Sequence, residues 1–130
     1  MNIAKARLVD AAKRQNFISL APSFTSIGGL SAKMKNGFSG SLRYRFINNR
    51  PSNEFNTVQA KGYFITDLVL GYVWKKIELT VSAENIFNRE WREAQFDTES
   101  KLKYETQPVS EIHYTPGLPR FIKSSFTFRF

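Results

Sequence analysis

The chain has 130 residues and no cysteine, and its 19 Lys and Arg outnumber 11 Asp and Glu, for a formal net charge of +8. This length allows one domain at most, or part of a larger one. The composition excludes disulfides and thiolate metal sites. The 15% aromatic content disfavours disorder, and the positive charge suggests an anionic partner without identifying it.

Residues 1–16 are open to two interpretations. Their Ala, Lys, Arg and Leu content favours a helix, whereas the alternation over residues 3–8 allows a strand. The segment lacks the continuous apolar core of a secretory signal peptide, and no apolar run in the chain is long enough for a transmembrane helix. We therefore expect either a helix or one additional strand here.

The following segments alternate apolar and polar residues with the period of a β-strand. In the clearest segment, Ile77–Glu84, every second residue is apolar and Glu, Thr and Ser occupy the positions between. The sequence predicts five strands with no convincing helix between them: Phe24–Lys35, Phe38–Phe46, Gly62–Trp74, Ile77–Glu84 and one that includes Phe126–Phe130.

The connections between these strands alternate in length. Asn36-Gly37 and Lys75-Lys76 form tight turns, whereas residues 47–61 and 88–120 are long polar connections. Outer-membrane β-barrels have short turns on one side of the membrane and longer loops on the other. Because the strands also have the length of a tilted bilayer crossing, the layout favours an all-β antiparallel meander of about five or six long strands in a membrane barrel.

The alternation gives each strand an apolar and a polar side. In a membrane barrel the apolar side faces lipid and the polar side faces a watery lumen. On the lipid side we expect Leu68, Leu70, Leu79, Val81, Phe126 and Phe128. We expect the following charged residues in the lumen: Arg43, Arg45, Glu78, Glu84 and Arg129. The basic ones are expected to form a solvated wall that pairs with plug carboxylates or with Glu78 and Glu84. The alternative is that they attract anionic ligands such as metal chelates or phosphorylated compounds. Aromatic residues near strand ends are expected to form girdles at the membrane interfaces: Tyr72, Trp74, Trp91 and Phe121.

No pattern in the sequence indicates catalysis or cofactor binding. His113 lies in a long connection without a second histidine or a cysteine, whereas zinc needs three or four ligands. The carboxylates of the strands lack a spacing typical of acid–base pairs, and no glycine-rich phosphate loop is present. We therefore expect no enzyme activity, no catalytic residues, no metal and no cofactor.

The sequence resembles the TonB-dependent outer-membrane receptors over roughly residues 20–130. The resemblance lies in the following segments: Gly40–Phe46, Arg50–Glu54, Gly62–Asp67, Val81–Asn88, Trp91–Phe96 and Ile112–Arg120. It implies that residues 1–130 are a C-terminal segment, without a plug domain, of a 22-stranded transmembrane β-barrel.

Receptors of this family take up nutrients such as metal chelates or other large solutes. The resemblance therefore implies an outer-membrane location and contact with outer-membrane lipid. It also implies three protein partners: the remaining barrel, the plug through which TonB is contacted, and the barrel-assembly machinery. That machinery reads a C-terminal signal ending on phenylalanine, here Phe126, Phe128 and Phe130. Since signal peptide, TonB box and plug are missing, we expect a fragment that does not transport alone.

Two other functions remain open. A basic β-sheet with many aromatic residues resembles sheets that stack single-stranded nucleic acid, and a soluble β-barrel can bind a small apolar ligand. The aromatic residues of this chain share a side with Leu, Val and Ile, whereas the basic residues lie on the opposite side. We therefore expect no nucleic-acid partner.

Overall fold

The computed structural model describes residues 2–3 and 17–130. All regular structure in these residues is β, and the strands pair antiparallel. The strands are β1 (Asn2–Ile3), β2 (Phe24–Lys33), β3 (Phe38–Ile47), β4 (Arg50–Pro51), β5 (Gln59–Ala60), β6 (Tyr63–Trp74), β7 (Ile77–Glu84), β8 (Arg92–Ser100), β9 (Val109–Pro116) and β10 (Phe121–Phe128). Within this part of the chain, no helix is long and apolar enough to cross a membrane.

The main sheet has six strands in the order β1-β2-β3-β6-β7-β10. Each strand neighbours the next main strand in sequence, because β4–β5 and β8–β9 form separate two-stranded sheets in the intervening connections. The predicted all-β antiparallel meander is thus confirmed. No sheet in the described residues closes on itself, so the 22-stranded barrel stays a prediction.

Period-2 alternation predicted the main strands closely. β7 has the predicted bounds, Ile77–Glu84, and β3 and β6 differ from the prediction by one residue at one end. β2 ends at Lys33, because the chain turns at Met34–Gly37, where Gly37 has a φ of 93°. The two interpretations of residues 1–16 lie outside the described residues, except that Asn2–Ile3 pairs with β2.

The long connections contain strands that the alternation did not indicate. The expectation of an irregular connection over residues 88–120 was wrong, because β8 and β9 pair over most of their length. β8 reads Arg-Glu-Ala-Gln-Phe-Asp-Thr-Glu-Ser, in which Ala94 and Phe96 are the only apolar residues. With so little apolar content, the period-2 signal is too weak to read. His113 consequently lies in a strand, β9, and not in a loop.

The chain divides into two compact units. We call residues 26–46, 64–90 and 118–130 the strand unit, and residues 1–25, 47–63 and 91–117 the hairpin unit. The strand unit holds most of the main sheet, and the hairpin unit holds β4, β5, β8 and β9. The expectation that residues 1–130 form one barrel segment stays a prediction.

The described residues bury very little apolar surface. Only two apolar residues among them are buried, Ala60 with 0% and Ile65 with 2% of their surface exposed. Large apolar side chains are instead exposed along the strands, for example Leu70 at 51% and Phe126 at 66%. Apolar burial is the main favourable term in the folding of soluble domains, and the described residues show little of it.

Candidate membrane-spanning surface

The register between β6 and β7 places apolar residues together on one side of the sheet. Leu70 pairs with Val81, and Tyr72 pairs with Leu79. Directly opposed residues in an antiparallel pair project to the same side. The same side therefore also holds Leu68, Trp74, Ile77 and Ala83.

Strands β10 and β3 extend this apolar side. Phe126 pairs with Leu79, and Phe128 pairs with Ile77. Two ring pairs connect β3 to β6: the Phe38 and Tyr72 centroids are 4.3 Å apart, and those of Tyr44 and Phe64 are 5.9 Å apart. We define the apolar face as these residues: Phe38, Tyr44, Phe64, Leu68, Leu70, Tyr72, Trp74, Ile77, Leu79, Val81, Phe126 and Phe128.

The opposite side of the same strands carries most of the polar residues, together with Val69 and Val73 of β6. In β7 and β10, Glu78 pairs with Thr127, and Thr80 pairs with Ser125. A cleft of about 310 Å³ on the strand unit is lined by Ile27, Arg43, Tyr44, Arg45, Asp67 and Glu84. This cleft brings together three of the predicted lumen residues, Arg43, Arg45 and Glu84.

The other two predicted lumen residues form an ion pair. Arg129 Nη2 donates to Glu78 Oε2 at 2.7 Å. Two further ion pairs lie on the same side, with 3.8 Å from Arg45 Nη2 to Asp67 Oδ2 and 3.7 Å from Lys123 Nζ to Glu84 Oε1. Asp67 is 13% exposed, and the other five side chains of the three pairs are 35% to 71% exposed. Exposed pairs contribute about 0–1 kcal/mol. Glu78, Glu84 and Asp67 thus each have a cationic partner.

The predicted girdle residues occupy different places. Tyr72 and Trp74 lie on the apolar face at the end of β6 that precedes the Lys75-Lys76 turn. Trp91 belongs to the hairpin unit, where its ring packs on Tyr63 with centroids 4.9 Å apart. Phe121 lies opposite Glu84 and thus on the polar side. Phe130, which follows β10, is fully exposed.

Sequence reasoning missed Asn85, the most highly connected polar residue at the end of β7. Asn85 is 3% exposed and has a φ of 49°. Its Nδ2 donates to the carbonyls of Arg89 at 2.8 Å and Leu118 at 3.1 Å, and its Oδ1 accepts from the Arg89 N–H at 2.9 Å. The Asn85 N–H donates to Asp67 Oδ1 at 3.1 Å. This asparagine thus connects the residues that follow β7 with Asp67 of β6 and with Leu118, which precedes β10.

Gln95 has a comparable role in the hairpin unit. It is 2% exposed, its Oε1 accepts from the Lys61 N–H at 2.8 Å, and its Nε2 donates to the Lys61 carbonyl at 2.7 Å. The Gln95 side chain thereby pairs with both the N–H and the carbonyl of Lys61, as the backbone of a neighbouring strand would. A lone Gln in a polar segment gives no sequence signal for such a contact.

The described residues contain no cluster of three or more His, Cys, Asp or Glu arranged to hold a metal ion. His113 faces Phe96, with ring centroids 6.4 Å apart. The geometry defines a class of protein, an open antiparallel β-sheet with one exposed apolar face. No family model, curated protein or solved structure matches the chain.

Proposed function

We propose that the chain forms part of the wall of an outer-membrane β-barrel of the TonB-dependent receptor class. In this proposal it contributes to the uptake of a nutrient such as a metal chelate or another large solute. The observation that carries the proposal is the apolar face, which covers one side of the main sheet and is exposed to the surroundings.

The size of the apolar face supports a lipid environment. Monomeric soluble proteins rarely expose contiguous apolar patches larger than a few hundred Å². Three strands have the length of a crossing, since β2 and β3 have 10 residues each and β6 has 12, whereas β7 and β10 have 8 each. A tilted strand crosses a bilayer core with about 9–11 residues. Lipid would cover the apolar face, and water in a lumen would solvate the charged side.

The edge of the sheet supports membership of a larger barrel. Among the described residues, β10 pairs with β7 and with no strand on its other side. Unpaired backbone groups are too costly in lipid for an open sheet edge to persist. We propose that strands of the remaining barrel complete this edge, with the barrel-assembly machinery as a further partner during insertion.

The choice of receptor family rests on the sequence resemblance, chiefly on Val81–Asn88. Asn85 gives that segment a physical role, because it forms hydrogen bonds with Asp67 of β6 and with the backbone of Arg89 and Leu118. We expect the coding DNA immediately upstream of Met1 to encode further barrel strands and a plug domain. An unrelated reading frame or a non-coding region at that place would contradict the receptor assignment.

A cysteine scan tests the lipid contact directly, because the chain contains no native cysteine. Single variants Leu70→Cys and Leu79→Cys report on the apolar face, and Thr80→Cys and Ser82→Cys report on the polar side. Each is labelled with a bimane fluorophore, and the full chain is reconstituted into liposomes containing brominated lipids.

We expect strong quenching at Leu70→Cys and Leu79→Cys and weak quenching at the two polar positions, since bromine atoms quench only fluorophores that contact the acyl chains. A charged maleimide in the buffer should label Thr80→Cys and Ser82→Cys faster than Leu70→Cys and Leu79→Cys. Equal quenching at all four positions would remove the proposal of a membrane-spanning face.

The nucleic-acid alternative has less support from the geometry. Stacking of bases requires aromatic rings on the same surface as the basic residues that contact phosphates. Here Phe126 and Phe128 lie on the apolar face, whereas Arg129 pairs with Glu78 on the other side. These two rings of β10 therefore lie on a different side from Arg129, and Phe121 is the β10 ring that lies on the polar side.

A further inference from the structure

Positive charge is concentrated at the end of the main sheet that carries the two short turns. Residues 34–37 and 74–77 form these turns, and they include three lysines but no Asp or Glu. We call Lys35, Lys75 and Lys76 the lysine rim. All three are exposed, and no carboxylate of the described residues lies within ion-pair distance of them. The rim therefore presents three uncompensated ammonium groups to its surroundings.

A backbone contact places the two turns side by side. The Val73 N–H donates to the Gly37 carbonyl at 3.0 Å, so the end of β6 lies beside the turn between β2 and β3. Both turns belong to the strand unit. The three lysines thus share one end of one sheet.

Aromatic rings lie at the same end of the apolar face. Trp74 is 55% exposed on this face, and the ring centroids of Phe38 and Tyr72 are 4.3 Å apart beside it. Lys75 Nζ lies 5.3 Å from the centre of the Trp74 ring. This ammonium is therefore next to a ring of the apolar face. Trp and Tyr rings prefer the headgroup level of a bilayer, where an adjacent ammonium meets lipid phosphates.

We propose that the lysine rim binds the phosphate groups of anionic phospholipids at the membrane surface. The inference rests on the proposed membrane-spanning face and names the lipid class that meets one end of it. An ammonium has three donors and forms strong, charge-assisted hydrogen bonds with phosphate oxygens. Phosphatidylcholine compensates its phosphate with its own choline cation, so an anionic lipid gains more from these lysines.

Quenching of Trp74 fluorescence tests this preference. The chain has two tryptophans, so Trp91→Phe leaves Trp74 as the single reporter. The full chain is folded into phosphatidylcholine liposomes that contain a minor fraction of phosphatidylglycerol. Bromine atoms are carried by the phosphatidylglycerol in one sample and by an equal amount of phosphatidylcholine in the other.

We expect about twofold to fivefold stronger quenching by brominated phosphatidylglycerol, because enrichment of the anionic lipid at the rim brings its bromine atoms close to the ring. High salt should reduce this difference, since it screens exposed charges.

Charge variants test the lysines themselves. Lys75→Gln combined with Lys76→Gln should remove most of the difference, whereas the double substitution to Arg should keep it. The matched control is Lys101→Gln combined with Lys103→Gln, which removes two positive charges from the connection between β8 and β9. This control should keep the difference. Quenching by brominated phosphatidylcholine shows that each variant is inserted.

The opposing outcomes separate this inference from the membrane proposal. Equal quenching by the two brominated lipids, or an equal loss of preference in the control variant, would overturn the inference alone. Loss of the preference on addition of soluble glycerol 3-phosphate would also overturn it, because the rim would then bind a free phosphate compound. No quenching by either brominated lipid would contradict the membrane proposal and the inference together.

Discussion

At the residue scale, the side chain of Asn85, which is 3% exposed, makes three hydrogen bonds at the end of β7. Its partners are the backbone groups of Arg89 and the carbonyl of Leu118. Asn88 follows with a similar backbone conformation, at a φ of 49°, and its Oδ1 accepts from the Arg120 N–H at 2.9 Å. The two asparagines together close the connection between β7 and β10.

We predict that Asn85→Ala destabilises the folded chain more than Asn88→Ala does. Both substitutions place alanine in the left-handed region of backbone conformation, so this conformational cost is the same in the two variants. Asn85→Ala additionally removes three hydrogen bonds of a side chain that is 3% exposed, whereas Asn88→Ala removes one, and we expect the difference to be about 2 kcal/mol. Urea unfolding in detergent, followed by tryptophan fluorescence, measures the free energy of unfolding of both variants. Equal losses would show that the extra hydrogen bonds of Asn85 contribute nothing net.

The sequence predicted the charged residues of the polar side but not the asparagine contacts. Alternation alone places Arg43, Arg45 and Glu78 on one side of their strands, because the period of side-chain direction in a strand is two. The Asn85 contacts depend on Leu118, which is 33 residues away. Only the tolerance of asparagine for positive φ was readable at that position.

At the element scale, strands with a strong apolar period were predictable and polar strands were not. β7 alternates over its whole length, and its observed bounds are the predicted ones. β8 and β9 pair through backbone hydrogen bonds. Polar side chains of β8 add hydrogen bonds, from Gln95 to the Lys61 carbonyl and from Ser110 to Asp97. Backbone pairing of this kind leaves little trace in the apolar pattern of a sequence.

The turn between β2 and β3 provides a test of the strand order. Gly37 has a φ of 93°, its carbonyl accepts from the Val73 N–H at 3.0 Å, and a Cβ at Gly37 would collide with the Val73 carbonyl. We predict that Gly37→Ala destabilises the chain by more than about 1 kcal/mol, since both the backbone conformation and the approach of β6 are affected.

Gly40→Ala is the matched control for this turn variant. Gly40 lies three residues further along in β3, and a Cβ there would meet only Leu70 Cδ2, at 3.6 Å. We expect unchanged or slightly higher stability, because alanine restricts the unfolded chain. The same urea experiment compares the two variants, and a larger loss for Gly40→Ala would contradict the packing of β3 on β6.

At the scale of the whole molecule, Ala60 and Ile65 are the only buried apolar residues in the described part of the chain. We predict that the full chain aggregates in detergent-free buffer, because the apolar face and the β10 edge associate with those of other copies. Detergent should cover the apolar face, and we therefore expect a monodisperse chain in detergent. Analytical ultracentrifugation in the two conditions measures this. A monodisperse monomer without detergent would contradict the membrane proposal.

An arginine placed on each side of β7 in turn tests which side of the sheet contacts lipid. Val81 pairs with Leu70 on the apolar face, and Thr80 pairs with Gly71 on the polar side, so Arg at either position occupies nearly the same depth along β7. We predict that Val81→Arg loses about 2–4 kcal/mol of folding free energy in liposomes, the cost of a lipid-facing Arg near the bilayer midplane. Thr80→Arg places its charge beside water and the Glu78 carboxylate and should lose much less. Urea titrations of folding into liposomes give both values, and the reverse order would mean that the charged side, not the apolar face, contacts lipid.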